Sequence, residues 1–121
     1  MATVKATKDN IEQLVGENAI VILDFWATWC GPCQSFGPIF EEVSEKHPDV
    51  VFAKVNTEEE QELAAHFQVR SIPTVMAFKE QVGVFSQAGA LPAQALEELV
   101  GKLRDLDMDE VRKEIEAQES P

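Results

Sequence analysis

The position of the two cysteines constrains this chain more than any other feature. Cys30 and Cys33 are its only cysteines, they stand in Trp29-Cys30-Gly31-Pro32-Cys33, and they fall where two kinds of periodicity meet. Upstream, Ala19 to Ala27 is an apolar, β-branched and aromatic run broken by one acid, Asp24, and it reads as a buried strand. Downstream, Phe36, Ile39, Phe40 and Val43 recur at helical spacing. A strand that delivers two thiols to the first turn of a helix is suited to thiol chemistry, because the helix start carries partial positive charge and unpaired N–H groups.

Composition narrows the setting. A chain of 121 residues with 45% hydrophobic content fits one compact domain. A single bridge from Cys30 to Cys33 closes too short a loop to restrict the unfolded chain usefully, so its value must be chemical. A secreted disulfide scaffold carries more cysteines at wider spacings. The segment Met1 to Lys8 lacks the apolar core of a signal peptide, and Ala19 to Ala27 is far short of the roughly 20 residues that span a bilayer. The expectation is a soluble, cytoplasmic monomer. Its net charge of −12 and pI near 4.4 disfavour nucleic acid and anionic membrane as partners, since both need a basic face.

The remaining elements alternate. Asp9 to Val15 reads as a short helix capped by Thr7 or Asp9 and closed by Gly16. The thiol-bearing helix should run from about Cys33 to Lys46, with Pro38 inside it, and end at His47-Pro48-Asp49. Val50 to Val55 is a second strand. Thr57 is the expected N-cap of a helix from about Glu59 to Phe67, and Glu58, Glu59, Glu60 and Glu62 read as a solvated helix start with no further role. Thr74 to Phe78 and Val82 to Gln87 form a hairpin, and a helix from Pro92 carries Leu96, Leu99, Val100 and Leu103. The order makes an α/β protein whose first half pairs in parallel with helices covering the sheet. Asp107 to Pro121 is acidic, with one thin apolar stripe of Met108, Val111 and Ile115; it reads as a frayed or loosely docked helix, with disorder as the alternative.

Three features carry the chemistry. Cys30, at the helix edge, is expected to be the exposed, attacking sulfur, while Cys33 lies on the same face, shielded by the first turn, and resolves the mixed disulfide into a Cys30–Cys33 bond. Gly31 allows close approach and Pro32 pre-sets the backbone. A zinc site drawing on His47 and His66 fails on their separation of 18 residues, covalent haem attachment fails because Gln34 follows Cys33, and inert core cysteines do not explain Gly-Pro between the thiols. No metal or other cofactor is expected. Asp24 is either a buried carboxyl with a raised pKa that exchanges protons with Cys33, or a strand-edge acid that faces solvent or pairs with Lys54. In Ser71-Ile72-Pro73-Thr74 the proline is either an ordinary trans residue at a strand entrance or a cis turn that leaves backbone groups free for a substrate strand.

Phe25-Trp26-Ala27-Thr28-Trp29-Cys30-Gly31-Pro32-Cys33, then Pro38, Lys54-Val55-Asn56, Ile72-Pro73-Thr74, Phe78-Lys79 and Gly89-Ala90-Leu91, stand in an order and spacing that resemble the thioredoxin family across about residues 3 to 105. The resemblance implies a thioredoxin fold over residues 1–106. That fold is a mixed five-stranded sheet, with three parallel strands and an antiparallel hairpin, flanked by four helices. Residues 107–121 then form an acidic C-terminal extension. It implies a cis bond at Ile72-Pro73, a substrate surface of Trp29, Gly31, Pro32, Ile72, Pro73 and Gly89, and proton handling by Asp24 and Lys54. It also implies reduction of protein disulfides and recharging by an NADPH-dependent thioredoxin reductase. The chain departs from the pattern at Gln34, where many members carry a base, at Glu80-Gln81-Val82, which lacks a turn glycine, and in its tail. The alternatives are a binding module or specialised redox partner of one complex, with the tail as docking element, or a dithiol oxidase.

Overall fold

The computed structural model describes residues 2–119. Met1, and Ser120 and Pro121 of the acidic tail, lie outside the described residues. The elements in chain order are β1 (Val4–Lys5), α1 (Ile11–Glu17), β2 (Ile20–Trp26), α2 (Gly31–Lys46), β3 (Val51–Asn56), α3 (Gln61–His66), β4 (Thr74–Lys79), β5 (Val82–Ala88), α4 (Ala93–Asp105) and α5 (Met108–Glu119). One sheet holds all five strands in the order β1-β3-β2-β4-β5. β1, β3 and β2 run parallel, and β4 and β5 are antiparallel to their neighbours.

β2 is the central strand, and its sequence shows why. Six of its seven residues, Asp24 among them, are buried, with only Trp26 half-buried, as in a strand covered on both faces. Side-chain alternation then divides the interior in two. Ile20 and Ile22 face α2 and α4 in a core with Phe36, Phe40, Phe52, Leu96 and Val100. Val21, Leu23 and Phe25 face α1 and α3, with Ile11, Val55 and Leu63. The same alternation puts Asp24 of β2 and Lys54 of β3 on the α2 side, directly opposite each other in register.

Several boundaries differ from the sequence expectation for identifiable reasons. α1 starts at Ile11, because Asn10 takes the cap position; its Oδ1 accepts from the Thr7 N–H (2.7 Å) and its Nδ2 donates to the Lys5 carbonyl (2.8 Å). The helix runs through Gly16 to Glu17, where the Asn18 amide covers the Leu14 carbonyl. α2 starts at Gly31, because Cys30 is its cap. α3 is shorter than expected and is capped at Glu60; the Asn56 carboxamide accepts the N–H groups of Glu58 and Glu59, and Thr57 turns its hydroxyl back to the Trp26 carbonyl. β1 has no periodicity to read. Its two residues are exposed, and it exists through pairing of Val4 and Lys5 with Ala53 and Lys54.

The C-terminal segment is helical over Met108–Glu119. Met108 is buried, Val111 and Ile115 are half-buried, and Asp107 Oδ1 accepts the N–H groups of Asp109 and Glu110 at the helix start. The hairpin contacts the chain on both sides of the α4–α5 junction. Lys79 Nζ donates to the carbonyls of Leu103 (2.6 Å), Arg104 (3.1 Å) and Leu106 (2.8 Å), closing the end of α4, and Arg112 of α5 pairs with Glu80 (2.7 Å). Other bases are also engaged on the surface: Lys5 with Glu59, Lys8 with Glu62, Lys46 with Glu97, Arg104 with Asp49, and Lys113 with Glu110. Such exposed pairs contribute little stability individually. Among the described residues, no helix is long and apolar enough to cross a membrane.

The β4–β5 connection is a two-residue turn with both φ angles positive, 50° at Glu80 and 71° at Gln81. This geometry matches the twist of a hairpin but suits glycine better than a residue with a Cβ. The left-handed conformation costs a non-glycine residue about 1–2 kcal/mol, against about 0.4–1 kcal/mol for the extra unfolded-state freedom that glycine brings. Gln81→Gly should therefore stabilise the protein by about 0.5–1 kcal/mol, read as a higher denaturant midpoint with an unchanged slope.

Candidate active site

The redox pair sits at the N-terminus of α2 because the strand before it is anchored and the helix after it is amphipathic. Cys30 is the helix cap, Pro32 occupies the first turn, and Cys30 and Cys33 are joined in a disulfide. The Cys33 N–H points at Cys30 Sγ (3.2 Å), and the same sulfur lies 3.7 Å from the Ile72 carbonyl oxygen. Ala27 and both cysteines form a small apolar cluster against Trp26 and Ile72.

The expectation of an exposed Cys30 beside a shielded Cys33 is corrected here. In the disulfide form the two are equally enclosed, with 5% and 4% of their surface exposed, because Ile72 and Ala27 cover the sulfurs from the side. What distinguishes them is electrostatic. Cys30 Sγ meets the helix amide, so a thiolate there is stabilised by the helix terminus.

Around the pair, Trp29 is 71% exposed, and Gly31 and Pro32 are exposed. The Ile72-Pro73 peptide bond is cis, with Ile72 half-buried and Pro73 buried. The Gly89 N–H donates to the Pro73 carbonyl (2.8 Å), and φ of +101° at Gly89 is a conformation that glycine alone adopts without strain. The structure thus brings Ile72 to Cys30 and Gly89 to Pro73.

Asp24 is 1% exposed, and neither of its oxygens has a hydrogen-bond partner among the described residues. Burial pushes its pKa up from 3.8 to about 7, and the Lys54 charge opposes this only in part. The solvent-facing alternative is thereby excluded. Pairing with Lys54 is not seen either: the two are register neighbours, but Lys54 Nζ lies over the Trp26 ring, 4.8 Å from its centroid. Gly37 of α2 lies beside that ammonium; a Cβ there would meet it at 3.6 Å, an ordinary van der Waals contact.

Sequence reasoning missed a set of residues that hold the loop before Cys30. The Thr28 N–H (3.0 Å) and hydroxyl (2.7 Å) both donate to Glu58 Oε1, and Gln34 Nε2 donates to the Thr28 carbonyl (2.8 Å). Glu58 is therefore more than part of a solvated helix start. No pattern in the sequence links residue 28 to residue 58; only the pairing of β2 with β3 brings their ends together. The histidines considered for zinc lie apart from the thiols. His47 is at the far end of α2, between Glu97 and Arg104, and His66 closes α3 edge-on to Phe67.

A family model described as Thioredoxin matches residues 2–102. A Streptomyces coelicolor protein named "Putative thioredoxin 2" is 53% identical over 119 residues, covering 98% of this chain and 89% of its own length. The Bacillus subtilis protein named thioredoxin is 40% identical over 103 residues, covering 84% of this chain and 98% of its own. Among solved structures, a mutant thioredoxin from Halobacterium salinarum superposes with a TM-score of 0.80 at 30% identity, covering 87% of this chain and 93% of that one.

The buried carboxyl makes stability depend on pH with a definite sign. The folded state holds the Asp24 proton more tightly than the unfolded chain, so ionisation opposes folding between about pH 4 and pH 7. Stability from this group is full below the unfolded pKa, falls as pH rises through the folded value, and is then level; a shift from 3.8 to about 7 bounds the loss at about 4 kcal/mol. Asp24→Asn should flatten that slope and raise stability at pH 8.5 by about 2 kcal/mol, allowing for an unpaired buried amide. Chemical denaturation across pH checks both statements.

Proposed function

This chain belongs to the thioredoxin family and is a dithiol–disulfide oxidoreductase, and on that premise we propose that it is a general protein-disulfide reductase in which Cys30 attacks and Cys33 resolves. The observation that carries the assignment is Cys30 Sγ at the cap of α2, facing the Cys33 amide and beside the Ile72 carbonyl. In the reduced protein a Cys30 thiolate attacks one sulfur of a substrate disulfide. A Cys30–substrate bond forms, the substrate S–S bond breaks, and the departing sulfur takes up a proton. Cys33, as thiolate, then attacks Cys30 Sγ; the internal disulfide forms and the second substrate sulfur leaves.

Cys33 must lose its proton before it attacks. Asp24 lies on the sheet face that α2 covers, and its pKa of about 7 lets it take up and return a proton near neutrality. Lys54 shares that face and limits how far the Asp24 pKa rises. Trp29, Gly31, Pro32, Ile72, Pro73 and Gly89 form the substrate surface. An extended substrate segment lies along Ile72 and Pro73, with exposed Trp29 as its apolar contact.

The cycle needs no resident cofactor. Its electrons come from a thioredoxin reductase, and its clients are proteins with accessible disulfides. A monomer in the reducing cytoplasm fits this role. The charge of −12 favours protein clients over nucleic acid. With NADPH and a cognate reductase, Cys30→Ser should abolish reduction of insulin disulfides, while Cys33→Ser accumulates a Cys30–substrate mixed disulfide visible by mass. Turnover retained by the Cys30 variant sinks the assignment.

A further inference from the structure

All three polar groups of Thr28, two residues ahead of Cys30, are held by side chains that take no part in sulfur exchange. Its N–H and hydroxyl donate to Glu58 Oε1, and its carbonyl accepts from Gln34 Nε2. Glu58 belongs to the loop after β3, and Gln34 stands in the first turn of α2, directly after Cys33. The Gln34 bond therefore closes a non-covalent ring from residue 28 to residue 34 that encloses both cysteines. The Gln34 N–H also donates to the Cys30 carbonyl (3.1 Å). The disulfide is a smaller, covalent ring inside this one. Reduction opens the inner ring, whereas the outer ring uses no sulfur atom.

We propose that Glu58 and Gln34 are positioning residues that fix Thr28 and so keep the reduced loop in the geometry from which Cys33 closes on Cys30. The proposal rests on the Cys30/Cys33 cycle and deepens it. In the closing step the Cys33 thiolate attacks Cys30 Sγ, the Cys30–Cys33 bond forms, the bond from Cys30 to the substrate breaks, and the electron pair leaves on the substrate sulfur, which is then protonated. The equilibrium of that step depends on how much freedom the loop loses as it closes. A loop already tied at Thr28 loses less, so the internal disulfide forms more readily and the dithiol is the stronger reductant.

Residue chemistry fits this role. The Thr28 hydroxyl and N–H hold the Glu58 carboxyl below its usual value, so it is an anionic acceptor at neutral pH. The Gln34 amide donates to a carbonyl without placing a charge beside the sulfurs. Both residues are exposed, so each hydrogen bond competes with water and its effect is modest.

The test is the equilibrium of the full chain with glutathione, in which protein dithiol plus glutathione disulfide gives protein disulfide plus two glutathione thiols. Gln34→Ala and Glu58→Ala should each lower that constant about threefold, and together more than either alone. Glu58→Gln keeps an acceptor oxygen and should stay close to the wild-type value. The alanine variants should also lower the melting temperature of the oxidised form more than that of the reduced form, because in the reduced form part of each bond's free energy is spent on ordering the loop that the disulfide otherwise orders. Unchanged constants, equal losses of melting temperature in both redox forms, or a Glu58→Gln variant as impaired as Glu58→Ala would each overturn the proposal. A wild-type chain that forms no reversible Cys30–Cys33 disulfide overturns the underlying cycle as well, and so is distinguished from failure of the positioning role alone.

Discussion

Enclosure of β2 shapes everything near the redox site. The strand hydrogen-bonds to β3 on one edge and β4 on the other, and helices cover both of its faces. A chain leaving such a strand can only turn over the sheet end, and the helix that follows must lie back on one face. Its first turn, with Cys30 and Cys33, is therefore set at the carboxyl ends of the parallel strands, where open α/β sheets place their reactive groups. The same enclosure leaves Asp24 almost fully buried, so one acid in an apolar strand has its pKa pushed up to about 7. Site geometry and proton chemistry share one cause.

What could be read from the sequence follows from which signals are local. The apolar run of β2, the helical spacing of Phe36, Phe40 and Val43, and the motif around Cys30 and Cys33 are properties of neighbouring residues, and they located the central strand, the thiol helix and the redox pair. Asp24 was legible as an acid where none belongs. β1 was not, because two exposed residues carry no period and become a strand only through Ala53 and Lys54. The Thr28–Glu58 contact was hidden for the same reason, being a consequence of β2 and β3 ending side by side. The enclosure of Cys30 is not legible locally, because part of its cover comes from Ile72, a residue distant in the chain.

The C-terminal helix forms on a weak sequence signal. Met108, Val111 and Ile115 make a stripe too thin to hold a helix by itself, yet one long-range ion pair adds to it and another contact fixes the chain just before it. Lys79 spans three carbonyls at the end of α4, and Arg112 reaches Glu80 in a turn whose backbone is already unusual. α5 is therefore joined to the hairpin by this ion pair, with Met108 buried at its start and Val111 and Ile115 half-buried along it.

The surface charge has a kinetic meaning. With 22 acids against 10 bases, and with Lys5, Lys8, Lys46, Arg104, Arg112 and Lys113 already matched to carboxylates, the field beyond the surface is negative. A diffusing client senses that field over about a Debye length, roughly 8 Å at physiological ionic strength. Basic clients are drawn in and acidic ones are held off before any sulfur is within reach. The order in which two competing clients are reduced thus depends on salt concentration, even when their disulfides are chemically identical.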